Sequence, residues 1–182
     1  MIRLFVALVL PEECCEALSR MCRGVRDARW IREQSFCLTL RFIGEVGEPR
    51  LPEIADALSR VENKNFMLTL SGIGHFQIGR RIRSLWAGTE PCDALVQLQN
   101  RVDAALRGAG VPPSGRKFTP HVTLARLKNG TAQQVGPWIE ANALFRADPF
   151  PVNQFVLFES YLSHTGAIYS PVAEIPLLRG VS

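Results

Sequence analysis

Nothing in this 182-residue chain is spaced to hold a zinc ion or a framework of disulfides. The five cysteines, Cys14, Cys15, Cys22, Cys37 and Cys92, are odd in number and contain no Cys-x2-Cys pair, and the three histidines contain no His-x3-His pair. A secreted cross-linked scaffold is thereby excluded, and a reducing compartment, the cytoplasm, is expected. A long apolar stretch is also missing at the N-terminus. The run Leu4 to Leu10 is seven residues long, follows a single Arg and precedes Pro11-Glu12-Glu13 without a small-residue cleavage site. It is too short for a signal or a membrane span and is expected to be a buried opening strand. Nor is there a polybasic tail: the densest cationic cluster is Arg80, Arg81 and Arg83.

What remains is the balance of an ordinary globular domain, with 47% hydrophobic, 21% charged and 8% aromatic residues. A chain of this length buries roughly 70% of the surface it exposes when unfolded, so one domain over residues 1–182 is expected to hold without disulfide or metal. Lys+Arg 21 against Asp+Glu 17 leaves a net charge of +4. That mild excess is compatible with phosphate or RNA, and equally with a plain solvated surface.

The apolar pattern alternates between the two regular periods. After the opening strand, Pro11-Glu12-Glu13 begins a helix with Cys15, Leu18, Cys22 and Val25 on one face. Phe36 to Ile43 reads as a strand closing at Gly44, and a second helix after Pro49 carries Leu51, Ile54, Leu58 and Val61. Strands are predicted at Phe66 to Leu70 and Arg83 to Gly88, then a helix with Leu95, Leu98, Val102 and Leu106 ending at Gly108/Gly110. A strand at His121 to Leu127 and a helix capped by Gly130-Thr131 repeat the order strand, helix, strand, helix. Strands near Val152 to Glu159 and Ala167 to Ile175 finish the chain, and Gly110 to Gly115 is a loop.

The repeat also shows in the residues, because Cys37-Leu38-Thr39-Leu40 and His121-Val122-Thr123-Leu124 share an x-apolar-Thr-Leu core in the second strand of each half. On a strand Cys37 and Thr39 share one face, as do His121 and Thr123, while Leu38 and Val122 point to the core. The reading is an α+β fold of two pseudo-symmetric lobes, each an antiparallel sheet with outer helices, around a central cleft where two half-sites meet. His121 is the histidine with a Thr two residues on and an Arg five residues on. His75, after Gly72-Ile73-Gly74, and His164, within Ser163-His164-Thr165-Gly166, read as solvated loop residues.

Arg29-Trp30, Phe36 to Glu45, Gly72 to Phe76, Phe118 to Arg126, and Ser160 with Gly166 and Tyr169 occur in one order along nearly the whole chain. In this the sequence resembles the RNA 2',3'-cyclic phosphodiesterases of the 2H phosphoesterase superfamily, first named 2'-5' RNA ligases. That family carries two His-x-Thr-x motifs. The second is intact here at His121 to Leu124, but the first reads Cys37-Leu38-Thr39-Leu40, with cysteine in the histidine's place.

The resemblance implies a mechanism without metal or cofactor, acting on RNA or a nucleotide that ends in a 2',3'-cyclic phosphate; a monomer without membrane association is expected. One imidazole accepts a proton from attacking water, and the other gives one to the departing ribose 3'-oxygen, leaving a 2'-phosphate. Carried over by position, His121 is the base and Cys37 occupies the acid's place. Thr39, Thr123 and Arg126 bind the phosphate oxygens. A thiol is a weaker donor and a shorter side chain than imidazolium, so turnover is expected to be slow or absent.

Three other readings are weaker. Cys37 and His121 could be thiol nucleophile and base, but a strand-borne cysteine lacks a helix N-terminus to depress its pKa. Cys14 and Arg20 match the Cys-x5-Arg spacing of cysteine phosphatases only within a glycine-free helix. RNA joining rests on the family's earlier name alone. The substantive rival is a non-catalytic nucleotide or RNA-end binding protein of the same fold. Phe42, Phe76 and Tyr161 are candidates to stack on a base, with core packing the favoured role for Phe42.

Overall fold

The computed structural model describes residues 1–180. The opening apolar run forms β1 (Ile2–Val9), and Pro11 with Glu12 and Glu13 starts α1 (Glu12–Ser19), whose Cys14 and Leu18 are buried. β2 is the short Arg29–Trp30 segment, and β3 (Cys37–Val46) and α2 (Leu51–Ser59) complete the first strand-helix-strand-helix unit. The second unit is β4 (Phe66–Leu68), β5 (Leu70–Ile78), β6 (Arg81–Thr89), α3 (Asp93–Gly108), β7 (His121–Gly130) and α4 (Ala132–Asn142). β8 (Phe150–Val152), β9 (Gln154–Ser163) and β10 (Gly166–Pro176) close the chain.

The strands run in the order β10-β9-β1-β3-β7-β6-β5, with β2 alongside β7 and β4 paired separately with β8. The α+β, two-lobed expectation is met, with one addition: the two half-sheets share hydrogen bonds. β3 and β7 are joined, among the described residues, at the antiparallel pair Leu38–Val122. Both side chains are fully buried at that junction, as the alternation required.

The two halves correspond residue by residue around this pair. In the first, Val9, Leu8, Ala7 and Val6 of β1 face Cys37, Leu38, Thr39 and Arg41 of β3, skipping Leu40. In the second, Gly88, Ala87, Trp86 and Leu85 of β6 face His121, Val122, Thr123 and Ala125 of β7, skipping Leu124. Each motif strand therefore carries a bulge one residue after its threonine, which re-aims the side chains beyond it.

Helix placement is not symmetric with chain order. α3, from the second unit, packs with α2 and against β3, while α4 packs against β5. The Trp138 indole of α4 donates to the Met21 carbonyl just past α1 at 2.8 Å, and its ring lies 6.2 Å from Trp30. The second half thus lends α3 to the first, while β2 of the first half pairs with β7 of the second, and a continuous core that includes Leu8, Leu38, Leu98, Val122 and Phe155 is buried.

Two expectations are corrected. Phe66 to Leu70 is two strands, because the chain leaves β4, which pairs with β8, and rejoins the main sheet at Leu70. His75 is on β5, half-buried and opposite Leu85, and is not a loop residue. The neighbouring glycines resemble loop punctuation, yet Gly74 serves packing: a Cβ there would lie 2.3 Å from the Trp86 ring.

The Thr131 cap is present as a full box, with Thr131 Oγ1 accepting from the Gln134 amide at 3.1 Å and Gln134 Oε1 accepting from the Thr131 amide at 2.9 Å. Thr131→Ala is expected to remove about 1 kcal/mol of stability. For a domain of this size that lowers Tm by roughly 2–4 °C in a calorimetric scan. An unchanged Tm would show that packing of Val135 and Trp138 alone holds α4.

Candidate active site

A cleft of about 870 Å³ opens over the junction of the two half-sheets, lined by Cys37, Thr39, Phe42, His121, Thr123 and Arg126 among others. Continuing the antiparallel register from Leu38–Val122 sets Cys37 toward Thr123 and Thr39 toward His121. The structure therefore brings all five predicted site residues to one cavity, because the two motif strands are neighbours and the residues of each alternate to the same side.

His121 is held in one tautomer. Its Nδ1 lies 2.6 Å from the Thr119 carbonyl, which can only accept, so Nδ1 carries the hydrogen and Nε2 keeps a free lone pair. Phe76 meets the imidazole edge-on at 4.9 Å and 89°, and Trp86 lies 5.9 Å away. Burial lowers the His121 pKa below the usual imidazole value; the Thr119 hydrogen bond opposes the shift and the Arg126 charge adds to it. At neutral pH the ring is uncharged and able to accept a proton.

Cys37 has the opposite character. Burial pushes its thiol up to about 11, a hydrogen bond with Thr39 opposes this, and Cys15 adds slightly. The group is a neutral thiol at pH 7, which removes the thiolate nucleophile reading: attack requires an anion this pocket disfavours. Cys37 is unpaired, as are the other four cysteines.

Several contributors had no marking in the sequence beyond the resemblance. Tyr169 lines the cleft on the Cys37 side, edge-on to Phe5 at 4.8 Å. Burial raises its pKa, the nearby Cys37 adds to the rise, and Arg126 opposes it. Arg41 is 5% exposed and forms an ion pair with Asp103, Nε to Oδ1 2.9 Å, while donating to the carbonyls of Phe42 and Pro112. It ties the loop after α3, which carries Arg116 and Lys117 into the cleft wall, to the strand bearing Cys37 and Thr39. A buried arginine in the middle of a strand reads in sequence only as a polar outward position, and the bulge at Leu40 is what turns it inward.

The aromatic candidates separate. Phe42 is 61% exposed and lines the cleft, so core packing is not its role. The bulge again explains the difference, because strict alternation from Leu38 and Leu40 would have buried it. Phe76 also lines the cleft, whereas Tyr161 is exposed on β9 and does not. The correspondence of the halves pairs Phe42 with Arg126 and Phe5 with Ser84, so one lobe offers aromatic surface where the other offers a cation and a hydroxyl. A nucleotide has a flat base and an anionic phosphate, and this asymmetry can orient it. Among the described residues no three His, Cys, Asp or Glu side chains gather as metal ligands, and no helix is long and apolar enough to cross a membrane.

The sequence matches the family described as LigT like phosphoesterase over residues 8–86 and 88–169. It is 30% identical to the RNA 2',3'-cyclic phosphodiesterase of Thermotoga maritima, over 98% of this chain and 97% of that one. The structure is similar to that of E. coli LigT in apo form, with TM-score 0.80 and 25% identity over 98% of both chains. It is also similar to E. coli LigT complexed with 3'-AMP, with TM-score 0.79 and 26% identity over 97% of this chain and 98% of that one.

Proposed function

The chain belongs to the LigT like phosphoesterase family, and from that premise we propose that it opens 2',3'-cyclic phosphate ends of RNA to 2'-phosphates, slowly. The observation that carries this is the juxtaposition, in one cleft, of a tautomer-fixed neutral imidazole with two threonines and Arg126. Nε2 of His121 takes a proton from water as its oxygen attacks phosphorus. The P–O3' bond breaks, the 3'-oxygen needs a proton, and the negative charge spreads onto the non-bridging oxygens. The hydroxyls of Thr39 and Thr123 donate to those oxygens and the Arg126 guanidinium neutralises them. Phe42 offers a face for the base.

The proton for the 3'-oxygen is the weak step. Cys37 stands where the family has the histidine of its first motif, and its thiol, with a pKa of about 11, gives up a proton reluctantly from a short side chain. Binding is therefore complete while departure of the leaving group is poorly assisted.

The test is hydrolysis of an oligoribonucleotide ending in a 2',3'-cyclic phosphate, in EDTA, with the product's phosphate position assigned by phosphorus NMR. Slow, EDTA-resistant formation of the 2'-phosphate is expected. A 3'-phosphate product would reverse the assigned leaving group. Binding with no turnover at any enzyme concentration would make the chain a reader of RNA ends.

A further inference from the structure

We propose that a groove beside the cleft, lined by Arg29, Arg126, Lys128, Asn129 and Gln134, binds a second phosphate of a polynucleotide whose cyclic end occupies the cleft. The inference rests on the reading above and deepens it: the ligand is a chain, not a mononucleotide. The groove holds about 300 Å³ and is a separate depression from the cleft, yet Arg126 lines both. A strand leaving the cleft past Arg126 enters it directly.

The charge arrangement has no structural reason. Arg29 of β2 is the cross-strand partner of Arg126 on β7, so two cations stand directly opposite each other on one face. Like charges so placed destabilise a sheet. Lys128 follows two residues on, on the same side of β7 and also exposed, and its carbonyl accepts from Arg83 Nη1 at 2.8 Å. Among the described residues, none of Arg29, Arg126, Lys128 and Arg83 is in an ion pair. Asp27 is the groove's one acidic lining residue. Opposed, unpaired cations on a rigid strand pair, with amide side chains beside them, suit an anion that arrives from outside.

The other cationic stretch at the cleft, Arg116 and Lys117, lies on a loop within the cleft wall, and neither residue lines the groove. It therefore suits the terminal phosphate or its sugar better than the next linkage.

The experiment measures binding, so slow turnover does not interfere. A nucleoside 2'-phosphate and a single-stranded pentaribonucleotide carrying a 3'-terminal 2'-phosphate are titrated against this chain and against its Arg29→Gln/Lys128→Gln variant, from 0.05 to 0.5 M salt. Each phosphate contact on a single strand contributes about −0.7 to the slope of log K against log salt. The double variant is expected to flatten the pentanucleotide slope by about 0.7, one phosphate's worth, and to weaken binding about 5-fold at 0.1 M salt, relative to a 1 M reference. Nucleoside 2'-phosphate binding stays unchanged. An unaltered pentanucleotide slope overturns the groove while leaving the cleft intact, as does loss of the slope only in an Arg116→Gln/Lys117→Gln variant. Failure of this chain to bind the nucleoside 2'-phosphate overturns the cleft reading itself, and the groove with it.

Discussion

Cys37→His is expected to raise the rate of cyclic phosphate opening by about 10²–10⁴-fold, the usual contribution of a positioned general acid. The thiol is disfavoured twice. Its pKa of about 11 lies far above the operating pH, and proton donors are most effective when the two are close. Its sulfur also sits one bond from Cβ, where an imidazole places a nitrogen two bonds further into the cleft. Room exists for the larger side chain, because position 37 faces a cavity of about 870 Å³ and its strand partner Val9 is 53% exposed. The matching position in the other half already accommodates an imidazole, with Gly88 as its strand partner.

The gain belongs in kcat, with little change in KM, because the new group acts on the leaving oxygen and not on the bound phosphate. Cys37→Ser is the control: it removes the thiol without adding an acid and is expected to gain nothing. A serine variant as fast as the histidine variant would locate the effect in relief of crowding. Equal rates for all three would remove position 37 from proton transfer and leave Tyr169, across the same end of the cleft, as the group to substitute next.

What the sequence revealed of this site follows from the period of a strand. Cys37, Thr39, His121 and Thr123 are two apart within each motif, so alternation alone placed each pair on one face and Leu38 and Val122 beneath them. Alternation ceased to inform at Leu40 and Leu124, where both strands bulge: Phe42 turns outward and Arg41 inward, against the simple pattern. Bulges depend on pairing with a partner strand, which one strand's residues do not declare. Helix periodicity likewise identified α3 by Leu95, Leu98, Val102 and Leu106, but not that α3 covers β3 of the opposite half. His75 reads as a loop residue in sequence because glycine signals a loop unless the indole lying over Gly74 is known.

His121→Asn, made in the Cys37→His background where the rate is high enough to lose, is expected to lower kcat by about 10²–10⁴-fold. Asparagine can still donate from its amide nitrogen to the Thr119 carbonyl, replacing the Nδ1 contact of 2.6 Å, but it offers no basic lone pair at the Nε2 position. Fold and ligand binding should therefore survive the change, with the Tm and the affinity for nucleoside 2'-phosphate nearly constant.

The pH profile gives the same assignment independently. His121 must be neutral to act, so activity rises as pH climbs through its pKa, which burial holds below the usual imidazole value of 6.5. The ascending limb is expected below pH 6.5 and should vanish in His121→Asn. Phe76→Ala, which strips the ring standing edge-on to the imidazole at 4.9 Å, relaxes the desolvation and should move the limb upward. A limb that persists in His121→Asn belongs to some other group, and the proton from water then leaves by a different route.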